Sequence, residues 1–190
     1  MNSSRFSRSA PPGCLRAFRA TAMVPADILL DGHASPNSPS PEIEMQIEGA
    51  DHIRVFFDLD CACGGKTFSV HGFKWQAGAR YGTLFLSPLY LECRSCGRID
   101  LVFDSDIHGS DAEQGVTSHR RAEGQRDTIK CSCQSATLQI RNSFEYSDDL
   151  FNHSCFTQMG REQDLFSWFD LIGLCERCNK WFSIASFECS

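Results

Sequence analysis

The arrangement of cysteines constrains this chain more than any other feature. Eleven of its 190 residues are cysteine, and eight of these form four closely spaced pairs. The pairs are Cys61 and Cys63, Cys93 and Cys96, Cys131 and Cys133, and Cys175 and Cys178. A disulfide between cysteines two residues apart would be badly strained, and the total is odd. The pairs therefore predict metal-binding thiolates in a reducing, cytoplasmic compartment rather than a secreted disulfide framework.

The four pairs fall into an internal repeat. Ten residues from position 61 (CACGGKTFSV) align without gaps with ten from position 131 (CSCQSATLQI), and nine from 91 (LECRSCGRI) with nine from 173 (GLCERCNKW). The second copy is longer, with 41 residues between its two pairs against 29 in the first, and the insertion is expected around 147–164. Duplication is the simplest explanation of this match.

Two matched quartets predict two zinc sites, because structural zinc takes four ligands and two short knuckles on neighbouring hairpins supply them without strain. We assign one ion to Cys61, Cys63, Cys93 and Cys96. We assign a second ion to Cys131, Cys133, Cys175 and Cys178. Zinc is favoured over iron because both sites look structural and closed. A rival pairing stays open, in which the middle pairs, separated by 34 residues, share one metal; repeat symmetry favours the first assignment.

The hydrophobic pattern predicts a mainly β protein. Apolar residues alternate with polar ones between 53 and 60, and apolar runs lead into or out of each C-x-x-C pair, whereas no long helical stripe occurs. We expect two tandem antiparallel zinc-ribbon-like modules that form one compact unit behind a disordered N-terminal tail. The expected boundaries are 1–45 for the Ser- and Pro-rich tail, 46–110 for module 1, 111–128 for a linker loop and 129–190 for module 2. Met23 is an alternative start site.

The charge balance argues against phosphate-bearing partners. Lysine and arginine number 18 against 24 acidic residues, giving a net charge of −6. Residues 1–22 hold four arginines and no acid, so the remaining chain has 14 basic and 24 acidic residues, a charge of −10. Nucleic-acid binding normally depends on a basic face. We therefore expect a protein partner, with a basic one favoured, and no membrane span, because every apolar run is too short.

Several residues outside the quartets are also candidates for function. The acidic segment around His108 could bind a cation or act as an acid or base, but it lacks the spacing of a calcium loop and is typical of a solvated connector. Cys14, Cys155 and Cys189 are expected to be free, partly buried thiols, although His153 lies close to Cys155. Two tryptophans, Trp168 and Trp181, are expected to pack around the turn that holds Cys175 and Cys178.

The segment Cys61-x-Cys63-Gly64-x-x-x-Phe68-x-Val70, followed by Cys93-x-x-Cys96-Gly97, resembles the structural zinc site of the glutathione-dependent formaldehyde-activating enzyme family. More loosely, it is similar to B-type methionine sulfoxide reductases and zinc ribbons. That family's catalytic zinc cluster has no counterpart between Cys63 and Cys93. The resemblance implies a metal-stapled β-module and not the activity. We thus expect a structural zinc protein acting as an interaction or adaptor module, with a zinc-dependent or thiol enzyme as the alternative.

Overall fold

The structure is a computed structural model that describes residues 11–22, 52–76, 83–109, 125–147 and 164–189. Nine strands are found there: β1 (Phe18–Ala22), β2 (His52–Cys61), β3 (Phe68–Gln76), β4 (Thr83–Cys93), β5 (Ile99–Phe103), β6 (Asp127–Thr128), β7 (Leu138–Ser147), β8 (Trp168–Cys175) and β9 (Trp181–Glu188). No α-helix occurs in these ranges, and none of their helical residues could span a membrane. The prediction of a mainly β, antiparallel fold is confirmed.

Two three-stranded meanders make up most of the sheet. Strands β3, β4 and β5 pair in sequence, and so do β7, β8 and β9, always antiparallel. The register agrees at the metal-ligand candidates, because Phe68 pairs with Cys93 in the first meander and Leu138 pairs with Cys175 in the second. Each C-x-x-C pair therefore begins at the end of a middle strand and turns into the third strand.

The two meanders are joined by strands that come from opposite parts of the sequence. Strand β2, which precedes the first C-x-C pair, lies along β7. Strand β6, which precedes the second C-x-C pair, lies along β3. The first residues of β3 and β7 also pair directly, Phe68 with Leu138. All nine strands thus belong to one sheet, and the boundaries between the expected modules stay a prediction.

The core consists mainly of aromatic and branched side chains on one face of this sheet. Val70, Leu91, Leu138 and Phe144 are fully buried or nearly so. Phe103 of β5 stacks on Phe169 of β8, with ring centroids 4.1 Å apart and an interplanar angle of 9°. Because Phe103 follows the first C-x-x-C pair and Phe169 precedes the second, the two meanders share one hydrophobic interior.

The expectation of a disordered tail over 1–45 is wrong for residues 12–22. A 3-10 turn at Gly13–Leu15 leads into β1, which pairs with β2 from Phe18 opposite Cys61 to Ala22 opposite Phe57. Leu15 is fully buried, and the Phe18 ring packs edge-on against Phe68 at 6.0 Å. Burial of these apolar side chains stabilises a segment whose prolines suggested a coil. The remaining tail residues lie outside the described ranges.

Candidate metal centres

The structure brings together the two quartets of cysteine that the repeat predicted, and not the rival pairing. In each quartet the four Sγ atoms lie within 4.8 Å of one another. The shortest sulfur–sulfur distances in the first quartet are 3.7 Å, for Cys61 to Cys96 and for Cys63 to Cys93. In the second quartet they are 3.5 Å, for Cys131 to Cys178 and for Cys133 to Cys175.

These distances fit a tetrahedral zinc ion. Zinc–thiolate bonds of about 2.3 Å in a tetrahedron place the sulfurs about 3.8 Å apart. The 3.5 and 3.7 Å separations are close to that edge length, whereas a disulfide bond would bring two sulfurs to about 2.0 Å. The donor set, four sulfurs and no oxygen or nitrogen, is also the one that zinc and iron–sulfur sites use. Both quartets could therefore hold a metal ion through cysteine alone.

The same backbone hydrogen bonds shape both sites. In the first site the N–H groups of Cys61, Gly64, Cys93, Arg94 and Gly97 donate to the carbonyls of Gly65, Cys61, Arg98, Thr67 and Cys93. In the second site the N–H groups of Cys131, Gln134, Cys175, Glu176 and Asn179 donate to the carbonyls of Ser135, Cys131, Lys180, Thr137 and Cys175. Every donor and acceptor pair of the first site has its aligned counterpart in the second. Each knuckle is thus a closed turn that holds its thiols in place.

Positive φ angles occur at the residue that follows the second cysteine of each of the four pairs. Gly97 and Asn179, which follow the second cysteine of each C-x-x-C pair, have φ of 72° and 54°. The residues after the C-x-C pairs, Gly64 and Gln134, have φ of 90° and 68°. Glycine tolerates this region best and asparagine next, so only Gln134 occupies a conformation unusual for its type.

One thiol in each quartet is poised to ionise. Burial opposes ionisation of Cys93, but the N–H groups of Cys96 and Ser95 and the thiols of Cys61 and Cys63 together lower its pKa to about 7.

At the corresponding position of the second quartet, burial likewise opposes ionisation of Cys175. The N–H groups of Cys178 and Arg177, with the thiols of Cys133 and Cys178, outweigh it and lower the pKa of Cys175 to about 6. Since a metal binds thiolates rather than thiols, the lowered pKa of Cys93 and Cys175 favours metal binding, whereas burial and the neighbouring thiols raise the pKa of Cys178 to about 12.

The spare thiols are buried and unreactive where the structure describes them. Cys14 and Cys189 are 6% and 2% exposed. Burial, with the nearby Asp164 carboxylate, raises the pKa of Cys14 far above its ordinary value, and the Cys189 thiol donates to the Phe187 carbonyl. Cys155 and His153 lie outside the described residues.

The segment around His108 forms a self-contained turn. The Asp104 N–H donates to Nδ1 of His108 at 2.9 Å, and the Asp104 carbonyl accepts from the N–H groups of Ile107 and His108. Burial lowers the pKa of His108, which keeps the ring neutral at pH 7. Among the described residues no His, Cys, Asp or Glu group beyond the two quartets has metal-binding geometry. The described part of the segment, up to Gly109, closes β5 with this turn.

A groove beside the first knuckle was not predicted. A cavity of about 400 Å³ lies on the solvent face of β2, β7 and β8 and is lined by Asp58, Asp60, Lys66, Arg141, Asn179 and Trp181, among others. Arg141 donates to Asp58 at 2.8 Å, and its guanidinium lies 4.6 Å from the centre of the Trp181 ring. These contacts depend on strand register across the repeat, which sequence spacing does not give.

The two tryptophans behave differently from each other. Trp181 lies beside the second knuckle as expected, in this groove. Trp168 is at the far end of β8, where its indole N–H donates to Ser186 at 2.9 Å, so the expectation that it packs around the knuckle is wrong.

Comparison with protein-family models, with curated proteins and with solved structures found no match. The resemblance to the formaldehyde-activating family therefore has only the cysteine spacing in its support.

Proposed function

We propose that this protein is a structural zinc-binding protein that uses its metal-stapled sheet to bind a basic protein partner. The observation that carries the zinc assignment is the presence of two four-cysteine clusters whose sulfurs lie within 4.8 Å of one another and whose turns have matching hydrogen bonds. Four thiolates fill the tetrahedron and leave no position for a substrate or a reactive water. This donor set is typical of structural sites, whereas catalytic zinc keeps one open position.

The zinc ions would add a bond between strand ends that are otherwise held only by pairing within the sheet. Cys61 ends β2, Cys93 ends β4 and Cys175 ends β8, so each ion would connect the terminus of one strand to the turn before another. Structural zinc contributes roughly 10 kcal/mol or more to folding, as much as the whole stability of a typical domain, about 5–15 kcal/mol. Loss of zinc is therefore expected to unfold the sheet around the knuckles.

Elemental mass spectrometry with thiol titration tests this assignment. The native protein should contain two zinc ions per chain, and no more than three thiols should react before denaturation. With chelator and denaturant, all eleven should react. A metal-free, folded protein with eleven accessible thiols would contradict the assignment.

A pair of cysteine variants separates ligands from other buried thiols. Cys93→Ser should lower the zinc content from two to one or fewer, because serine is a poor zinc ligand. Cys189→Ser is the matched control: Cys189 is equally buried, and a serine hydroxyl can also donate to the Phe187 carbonyl, so two zinc ions should remain. Two zinc ions in Cys93→Ser would overturn the ligand assignment.

The proposed partner is basic because of the charge that the two metal sites would carry at the ends of the groove. Each four-thiolate zinc site would carry a net charge of about −2, and the groove extends from Asp60, next to the first quartet, to Asn179, next to the second. The Asp58 side chain is 47% exposed although it binds Arg141, and Asp60 is 3.8 Å from a lysine that is itself 73% exposed. Both carboxylates can accept further hydrogen bonds from a partner's arginine or lysine.

Binding of an arginine-rich nonapeptide to the zinc-loaded protein, followed calorimetrically at low salt, tests the partner class. Asp60→Asn should weaken binding about fivefold, equivalent to about 1 kcal/mol. Glu92→Gln is the matched control, since it removes one negative charge on another strand and keeps a hydrogen-bonding group beside His71. Equal effects of the two variants would indicate diffuse attraction and contradict a site in the groove.

The enzyme alternative has no observation in its favour among the described residues. A thiol nucleophile needs a depressed pKa and access to substrate. The two thiols with a lowered pKa, Cys93 and Cys175, are buried and assigned to the metal sites, and Cys14 and Cys189 are buried as well. Its remaining candidate, Cys155, belongs to the segment that the structure does not describe.

A further inference from the structure

The turn that holds each C-x-C pair lies between two strands, and both of these strands pair with a strand of the other repeat. Leu138 of β7 pairs with Cys175 on one side and with Phe68 on the other, and β2 pairs with Arg141 to Ser147 on that second side. Strands β2 and β3 therefore pair one after the other with the same edge of β7. The turn with Cys61 and Cys63 lies between them. Strand β7 therefore lies beside strands on both sides of this knuckle, along residues 52–58 of β2 and at Phe68 of β3.

The turn with Cys131 and Cys133 has the corresponding arrangement, in which β6 and β7 pair with β3. His71 of β3 pairs with Tyr90 on one side and with Thr128 of β6 on the other, and the Ile129 N–H donates to the Val70 carbonyl at 2.9 Å. Strands β6 and β7 thus pair one after the other with the same edge of β3. The turn with Cys131 and Cys133 lies between them. The two lines are antiparallel and meet at Phe68 and Leu138, both fully buried.

We propose that this exchange of strands makes zinc binding at the two sites cooperative. The proposal rests on the four-thiolate sites proposed above but not on the partner. An ion at the first site fixes the end of β2 relative to the start of β3. Both strands then pair with β7, which is the strand that follows Cys131 and Cys133. An ion at the second site orders β6 and β7 against β3 in the same way. Each ion therefore orders strands that binding of the other ion would otherwise have to order, so the second ion binds with a smaller loss of conformational entropy.

Side chains reinforce the exchanged pairings. Arg141 of β7, with only 5% of its side chain exposed, donates to Asp58 of β2 at 2.8 Å. At the aligned position of the other junction, Thr128 of β6 and Nδ1 of His71 in β3 are 3.2 Å apart. The first contact joins β2 to the second meander, and the other joins β6 to the first meander.

The distance between the two charged sites reduces the repulsion that opposes this coupling. Cys93, Phe68, Leu138 and Cys175 occupy one row across four adjacent strands. Strands lie about 4.8 Å apart, so the backbones of Cys93 and Cys175 are separated by about 14 Å. That distance exceeds the Debye length of about 8 Å at physiological ionic strength, so exposed charges are largely screened.

Native mass spectrometry of the full chain, equilibrated in zinc-buffered solution at half saturation, tests the proposal. Independent sites, equal or unequal, leave about one half or more of the molecules with one zinc ion. A coupling of about 20-fold, within the usual range for linked sites, lowers that fraction to about one fifth. A one-zinc fraction of one half or more would overturn the proposal, even if two ions bind at saturation. Fewer than two ions at saturation would overturn the four-thiolate assignment itself.

A variant pair links the effect to the exchanged strands. Asp58→Ala combined with Thr128→Ala removes both side-chain ties and leaves all eight thiols, so the one-zinc fraction should rise toward one half. Ser186→Ala, which removes an exposed hydrogen bond to Asp170 between β8 and β9, far from both quartets, should leave the fraction at the wild-type value. Equal shifts in the two variants, or no shift in the double variant, would contradict coupling through the junction.

Discussion

At the scale of single residues, the knuckles show how far the sequence alone could specify the candidate site. The eight cysteines and the positive φ of Gly97 and Asn179 follow from short-range spacing, because each knuckle is closed by bonds within a few residues. The Arg141–Asp58 pair could not be predicted, since it joins residues 83 positions apart whose proximity depends on register. Gln134 is the local exception, because it occupies a conformation that its aligned partner Gly64 adopts freely.

A reciprocal exchange at these two positions tests the backbone assignment. Gln134→Gly should raise the free energy of unfolding by about 0.5–1 kcal/mol, because the left-handed conformation costs a side-chain-bearing residue about 1–2 kcal/mol and glycine's greater unfolded-state entropy offsets part of the gain. Gly64→Gln should lower it by about the same amount, although the space around the Gly64 Cα is open. Denaturant unfolding of the zinc-loaded proteins measures both. Destabilisation by Gln134→Gly would show that the positive φ is misassigned.

At the scale of secondary-structure elements, the strands that flank the cysteines were foreseeable and the N-terminal segment was not. Alternation of apolar residues marked β2, and the apolar runs before and after the C-x-x-C pairs marked β4, β5, β8 and β9. In contrast, β1 has only five residues, Phe18–Ala22, and follows two prolines, so no periodicity distinguishes it from coil. Its stability comes from pairing with β2 and from burial of Leu15, which are tertiary contacts.

Truncating Leu15 tests whether this segment is part of the folded body. Leu15→Ala should lower the free energy of unfolding by about 2–5 kcal/mol, because the side chain is fully buried in the shared core. Ile99→Ala is the control: Ile99 is 55% exposed in β5, so its truncation should cost less than about 1 kcal/mol. Thermal unfolding of the zinc-loaded variants compares the two. Equal, small effects would place residues 12–22 outside the cooperative structure.

At the scale of the whole molecule, the sequence predicted two tandem modules that form one compact unit, and the structure has one sheet in which β2 and β6 each pair with a strand of the other repeat. Periodicity within a strand shows which face is buried but not which strand lies beside it, and a repeat in sequence suggests self-contained units by default. The exchange is visible only in long-range pairings such as Asp58 with Arg141 and His71 with Thr128. Fold class could therefore be predicted from local pattern, and connectivity could not.

The exchanged strands also bear on how such a protein could arise. Phe68 and Leu138 are aligned positions of the repeat and pair with each other, which is the relation expected where a two-fold axis passes between identical chains. A half-length chain of this design would complete its sheet only by lending its first strand to a second copy, as a domain-swapped homodimer. Gene fusion of such a dimer would yield the present topology in one step, and would free its two halves to diverge, as Asp58 and Asp60 have from Thr128 and Lys130.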